Sequence, residues 1–221
     1  MTALARVSPP AGPQDPEVLR SGSMVPLARR LKLCAQPYHN ALHRQAALRL
    51  LFRPRLAPPA YRFILDRFDA FLEAAESQVL ISGDPWLAAN GFARVSRRQD
   101  LRQDLDALTA LGVPPTDETR PEPPDLGVPP GPGAVLGLLY VIEGSRLGGG
   151  YLARRVAGML PTHVRGATSF LGSPGLDVGE NWRQVCATID LLGEDPAMEE
   201  PACDAAQAAF VHLAALFSEV P

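Results

Sequence analysis

From Met24 onward the apolar positions recur every three or four residues, not every second one. Leu27, Leu31, Cys34, Ala35, Tyr38 and Leu42 fall on one side of a helix, and the spacing predicts an amphipathic helix running to about Phe52. Pro54, Pro58 and Pro59 end it. A second helix is expected from about Tyr61 to Leu80, with Phe63, Ile64, Phe68, Phe71 and Leu72 turned inward. Ser96 suits the N-cap of a third, Arg97 to Leu111, whose Leu101, Leu105 and Leu108 share a face. Helix resumes near Ala134 and runs to about Pro161. A loop holding Gly166, Gly172, Pro174 and Gly175 precedes helices at Trp182 to Leu192 and Asp204 to Glu219. No β-alternation of useful length and no internal repeat occurs, so the fold class is all-α.

The pattern also sets the domain organisation. Residues 1–22, rich in proline and small side chains, read as a disordered tail without the apolar run of a signal peptide. Residues 23–221 read as one helical domain. Residues 113–133, with eight prolines, form a connector inside it. The net charge of −3 gives no broad cationic field, which argues against nucleic acid. The arginine pairs Arg29-Arg30, Arg97-Arg98 and Arg154-Arg155 read as solvated helix faces. No stretch is long and apolar enough to span a membrane. Cys34, Cys186 and Cys203 show no CxxC spacing and read as reduced thiols of a cytoplasmic protein.

Chemistry concentrates in two segments. His39 lies on the apolar side of the first helix, where a histidine is either a core residue or a ligand. His43, one turn later, completes an i, i+4 histidine pair, but the glutamate of a zinc hydrolase is missing between them. Lys32 stands two turns before His39 on nearly the same face, about 10 Å along the axis; alone it reads as a lysine snorkelling at the helix start. The second segment, Leu139 to Leu152, has four glycines within seven residues: Gly144, Gly148, Gly149 and Gly150. Each interior glycine costs roughly 0.8–1 kcal/mol against alanine. Either helix packing through a Gly144/Gly148 pair or a flat ligand against bare backbone would repay that cost. Ser145 is in the wrong frame for a nucleophile elbow, and no phosphate-loop or dinucleotide fingerprint is present. Glu143, inside an apolar run, reads as a core hydrogen-bonding group or a metal ligand.

Together the two segments resemble the haem oxygenase family. Leu31 to His43 is similar to that family's first helix, L-[KR]-x-x-T-x-x-x-H-x-x-L/A-E, and Tyr140 to Leu152 is similar to its kinked distal helix in the bacterial form E-G-S-x-L-G-G. Weaker similarity runs through Arg97–Leu111, Thr168–Gly172 and the spacing of Phe210 and Phe217. The resemblance implies a single-domain haem-oxygenase-like helical bundle. It makes His39 the axial ligand of the haem iron and Lys32 and Arg183 partners of the propionates. Gly144, Gly148 and Gly149 become the distal glycines, with Ser145 at the position of a water-ordering aspartate in animal members. Tyr140 and Phe210 become pocket residues. Two departures stand out: the motif threonine is Ala35, and the motif glutamate is His43.

The implied activity is oxidative cleavage of haem to biliverdin, carbon monoxide and ferrous iron, with O2 and reducing equivalents. Haem is then both prosthetic group and substrate. A ferredoxin- or reductase-type electron donor is implied, and a bilin-binding photoreceptor is a conceivable acceptor of the product. Three other readings compete. One is a haem carrier of the same fold that does not cleave haem. Another is a non-haem di-iron oxygenase, for which Glu73, Glu76, Glu143 and His39 can be nominated although no E-x-x-H pair occurs. The last is a helical interaction module.

Overall fold

A computed structural model describes residues 25–115 and 120–220. The proposed tail, residues 1–22, lies outside the described residues. Helices α1 (Leu27–Leu42), α2 (Ala46–Arg49), α3 (Pro58–Ala75), α4 (Ile81–Ala89), α5 (Arg98–Ala110), α6 (Pro132–Gly144), α7 (Gly149–Met159), α8 (Ser169–Gly172), α9 (Val178–Leu192) and α10 (Glu199–Leu216) follow in order, with no strand among the described residues. The fold is all-α with one continuous core. Among the described residues no helix is long and apolar enough to cross a membrane.

Helix α10 is the centre, and small residues let it be so. Ala202, Ala205, Ala206 and Ala209 are fully buried. Gly133 and Gly137 of α6 face them. A methyl built on Gly137 would lie 2.1 Å from the Ala202 carbonyl oxygen and 3.0 Å from the Ala205 methyl. The two backbones therefore touch, as small-residue interfaces permit. The glycine pair that packs helices is Gly133/Gly137, not Gly144/Gly148. At the other end of α10, Phe217 stacks obliquely on Phe68 of α3, which also meets Phe170.

Several boundaries differ from the periodicity. The first helix stops at Leu42, and the chain turns through His43–Gln45 before α2 and a 3-10 turn, Leu50–Phe52. The turn lets Ala47, Leu48 and Leu51 reach the core. The Arg155 guanidinium then holds the Leu51 and Phe52 carbonyls. The second helix runs past Leu80: a π-helical turn, Glu76–Leu80, carries α3 into α4, which packs Gly83 against Val135. Helix α5 starts at Arg98 with Arg97, not Ser96, at its N-cap; Ser96, one residue earlier, accepts the Arg98 N–H at 3.2 Å. Helix α9 starts earlier than expected because Asp177 caps it, accepting the Glu180 N–H at 2.9 Å. Helix α10 is shifted to Glu199–Leu216, and the expected loop after Pro161 contains α8. Residues 113–115 and 120–131 carry no regular element, and α6 begins at Pro132.

Candidate functional site

Helices α1, α6 and α10 run parallel, and anchored pairs fix their register. Arg30 of α1 is ion-paired with Glu199 of α10. Nine residues on, the His39 ring meets the Phe210 ring edge-on, with centroids 5.5 Å apart. On the other side, Gly137 of α6 sits between the levels of Ala202 and Ala205. Seven residues at about 1.5 Å each carry α6 from Gly137 to Gly144, and a similar rise carries α10 to Phe210. His39, Phe210 and Gly144 therefore share one height in the bundle. Helix α9 runs antiparallel and closes one side. Its Asp190 accepts the Ala28 N–H at 2.8 Å, and its Trp182 lies against Tyr140, with centroids 5.3 Å apart.

His39 is half-buried, and its ring has two distinct nitrogens. Nε2 faces the Nε2 of His43 at 3.1 Å. Nδ1 is buried without a hydrogen-bond partner, an uncommon state for a buried polar atom. Burial, and then the nearby His39, pushes the His43 imidazole below its ordinary value. Pro37, two residues before His39, removes the N–H that would return to the Leu33 carbonyl.

The glycine segment is not continuous helix. Between Gly144 and Gly149 the backbone tightens through N–H bonds from Arg146 to Glu143, Leu147 to Gly144 and Gly149 to Arg146 (3.1, 3.1 and 2.9 Å). Its four glycines do different things. Gly149 admits the Leu171 carbonyl oxygen, which would stand 2.2 Å from an added methyl. Gly144 is covered by the Trp182 ring, 3.3 Å from an added methyl. Gly150 would bring its methyl only to Arg154, at 3.8 Å. An added methyl on Gly148 meets nothing within 4 Å, and the residue is exposed. Of the proposed distal glycines, Gly148 is the one whose backbone is left uncovered.

Side chains missed by the sequence reading hold this bend. Arg97, expected on a solvated face, is 3% exposed. It donates to the Ser145 hydroxyl and to the Ile142 and Phe170 carbonyls, and lies over the Phe170 ring. Burial, then the charge of Arg146, pushes its guanidinium down to about 9. Arg146 is buried too, paired with Glu143 at 2.8 Å and bonded to the Ser173 hydroxyl. Asn181 donates to the same Glu143 oxygen at 2.9 Å. Glu143 is thus the core hydrogen-bonding group of the two readings offered for it. Ser145 gives its hydroxyl proton to the Ile142 carbonyl at 2.7 Å and accepts from Arg97, which leaves one lone pair. The only sequence signal for Arg97 was a doubled arginine beside a capping serine, and that pattern also describes a solvated face.

The remaining predicted residues are dispersed. Tyr140 and Phe210 line the interior. Burial first, then Cys186 and Cys34, pushes the Tyr140 phenol up to about 12, so it stays a neutral hydroxyl. Lys32 is exposed on α1. Arg183 is exposed on α9 and pairs with Glu180 one turn before it. The di-iron reading loses its ligands: Glu73 pairs with Arg98 and Arg120, Glu76 with Arg94, and Glu143 with Arg146. Among the described residues no group of three or more His, Cys, Asp and Glu could hold a metal ion.

No curated protein matches the chain closely enough to count as a relative. Haem oxygenase from Leptospira interrogans superposes with a TM-score of 0.67 at 20% identity, covering 89% of this chain and all of that one. At that identity the likeness speaks for the fold. The family model for haem oxygenase matches residues 25–219, through α1, the glycine bend and α10. The chain belongs to the haem oxygenase family.

Proposed function

We propose that the protein cleaves haem to biliverdin, carbon monoxide and ferrous iron, using O2 and electrons from a protein donor. The observation that carries this reading is His39: a half-buried imidazole with an unpartnered buried Nδ1, level with the bend whose Gly148 presents open backbone. Those residues fit a planar substrate held between an imidazole and a peptide. Bound haem supplies the iron that activates oxygen. The protein's part is to bind, orient and shield. His39 ligates through neutral imidazole. Phe210 packs edge-on against that ring and limits its rotation. Gly148 and its neighbours set how closely oxygen and water approach, and the remaining Ser145 lone pair accepts a hydrogen bond from such a water. Lys32 and Arg183 pair with the propionates and so select the edge that is attacked.

Charge supports a protein donor. Residues 24–65 hold eight Lys and Arg and no Asp or Glu, in a chain whose net charge is −3. Arg29, Lys32, Arg44, Arg49, Arg53 and Arg55 are exposed and make no ion pair among the described residues. An acidic ferredoxin- or reductase-type surface suits this side of α1 and α2. A cytoplasmic setting suits three free cysteines. A bilin-binding photoreceptor remains one acceptor for the product. The second reading, a haem carrier, rests on Ala35 and His43, the two departures from the family motif.

Reconstitution with haem, followed by reductant under air, tests both. A histidine-ligated Soret band that gives way to a bilin spectrum supports cleavage. A Soret band that persists supports the carrier. Failure to bind haem removes both.

A further inference from the structure

The interface between α1 and α10 holds two of the three cysteines at matched positions. Arg30 pairs with Glu199; exactly four residues later on each helix come Cys34 and Cys203. On parallel helices in that register, residues one turn further on meet as the first pair does. The His39–Phe210 contact beyond them keeps the helices together. The two thiols lie close enough that each shifts the acidity of the other, and the Cys34 thiol donates to the Leu31 carbonyl at 3.5 Å. Both side chains are only partly buried, so a small oxidant reaches them. Cys186, on α9, has no such partner.

We propose that Cys34 and Cys203 are a redox-active thiol pair that closes to a disulfide between α1 and α10 when the protein meets hydrogen peroxide. Its role is to tie the helix carrying His39 to the central helix, about one and a half turns before the imidazole. The neighbouring thiol makes Cys203 the attacking sulfur: Cys34 beside it, helped by Arg30, holds the Cys203 thiol below its ordinary value against the opposing effects of burial, Glu199 and Asp204. The Cys34 thiol is pushed up by Cys203 and by burial. The Cys203 thiolate attacks peroxide, forming an S–O bond as the O–O bond breaks and hydroxide leaves. Cys34 then attacks that sulfur, forming the S–S bond and expelling a second hydroxide. The two thiol protons neutralise the two hydroxides. Two thiols and one peroxide yield one disulfide and two waters.

The test uses the full chain without haem, so its result is separable from the haem reading. Reduced protein is treated with stoichiometric hydrogen peroxide, alkylated and digested. Cleavage at Glu194 and Glu199 is needed, because trypsin leaves Cys186 and Cys203 on one fragment. We expect a Cys34–Cys203 linked peptide, reversed by dithiothreitol, with Cys186 alkylated. The link should be absent from Cys34→Ser and Cys203→Ser and unchanged in Cys186→Ser. The oxidised protein should melt at a higher temperature than the reduced one, and the difference should vanish in Cys34→Ser. Alkylation of both Cys34 and Cys203 after peroxide would overturn the proposal. So would a link to Cys186, a link between chains, or a disulfide that lowers the melting temperature.

Discussion

Glu143 and Arg146 form a buried ion pair, 2.8 Å long, that bridges the first turn of the glycine bend. Each side chain is 6% exposed, so neither charge has water as an alternative partner. Removing one partner of such a pair costs about 3–5 kcal/mol, because the other stays buried and uncompensated. Glu143→Leu should therefore lower the urea midpoint strongly. Adding Arg146→Leu should recover part of the loss, since the orphaned charge goes with it. A double variant no more stable than Glu143→Leu would show that the pair does not couple.

Gly148 and Gly149 are neighbours with opposite tolerances. Gly149→Ala places a methyl 2.2 Å from the Leu171 carbonyl oxygen, and backbone cannot yield as a side chain can. It should destabilise by at least about 1–3 kcal/mol. The β-carbon of Gly148→Leu would meet no atom within 4 Å, and the position is exposed, so its denaturation curve should match the parent. Under the proposed function it should nonetheless slow bilin formation by crowding the ligand face. A Gly148→Leu protein that turns over haem at the parent rate would place the substrate elsewhere.

These glycines also show how far the sequence could be read. The helical class was legible because periodicity is local, and glycine enrichment marked the bend between α6 and α7 for the same reason. Which glycine packs against what is decided by other helices. Gly133 and Gly137 looked like ordinary residues of an apolar run, yet they bring α6 onto α10. Gly144 looked open, yet Trp182 covers it. Arg97 had the pattern of a surface arginine, and only the fold reveals the carbonyls of Ile142 and Phe170 around it. The turn after Leu42 interrupts a sequence of good helix formers, because burial of Ala47, Leu48 and Leu51 outweighs local propensity.

Asp104 predicts a pH dependence. Its carboxylate accepts the Ser169 and Phe170 N–H groups at 2.9 Å each, at the start of α8. Burial raises its pKa above 3.8, and those hydrogen bonds only partly offset it. The folded state thus holds the Asp104 proton more firmly than the unfolded chain does. Its contribution to stability is complete below the unfolded value and declines as pH rises through the folded one. The stability of the parent relative to Asp104→Asn should fall as pH is raised from the ordinary aspartate value across that window. Denaturant titrations at several acidic pH values measure it; a difference that grows with pH would reverse the sign.

Lys32 and Arg183 make a prediction about selectivity with little bearing on stability. Both are exposed, and the Glu180 pair of Arg183 is an exposed i, i+3 contact of small worth. Replacing both with alanine should leave the melting temperature nearly unchanged. If they hold the propionates, haem should bind more weakly or rotate in its plane. Chromatography of the product would then show an altered ratio of biliverdin isomers. The same isomers at the same haem affinity would make them plain surface charges.

His39 and His43 separate ligation from tuning. His39→Ala removes the imidazole assigned to the iron, so added haem should lose its histidine-ligated spectrum while far-ultraviolet dichroism stays helical. His43 stands one turn on, where the family motif has a carboxylate, and its Nε2 lies 3.1 Å from that of His39. A group bonded to a ligating histidine orients the ring and adjusts its basicity. His43→Glu should therefore keep a histidine-ligated Soret band and shift the reduction potential of bound haem downward, since a carboxylate partner makes the imidazole a stronger donor. His43→Ala should also keep the band, without that downward shift. If His43→Ala abolished the band while His39→Ala kept it, the ligand would be His43, and the departure from the motif would mark a displaced axial position.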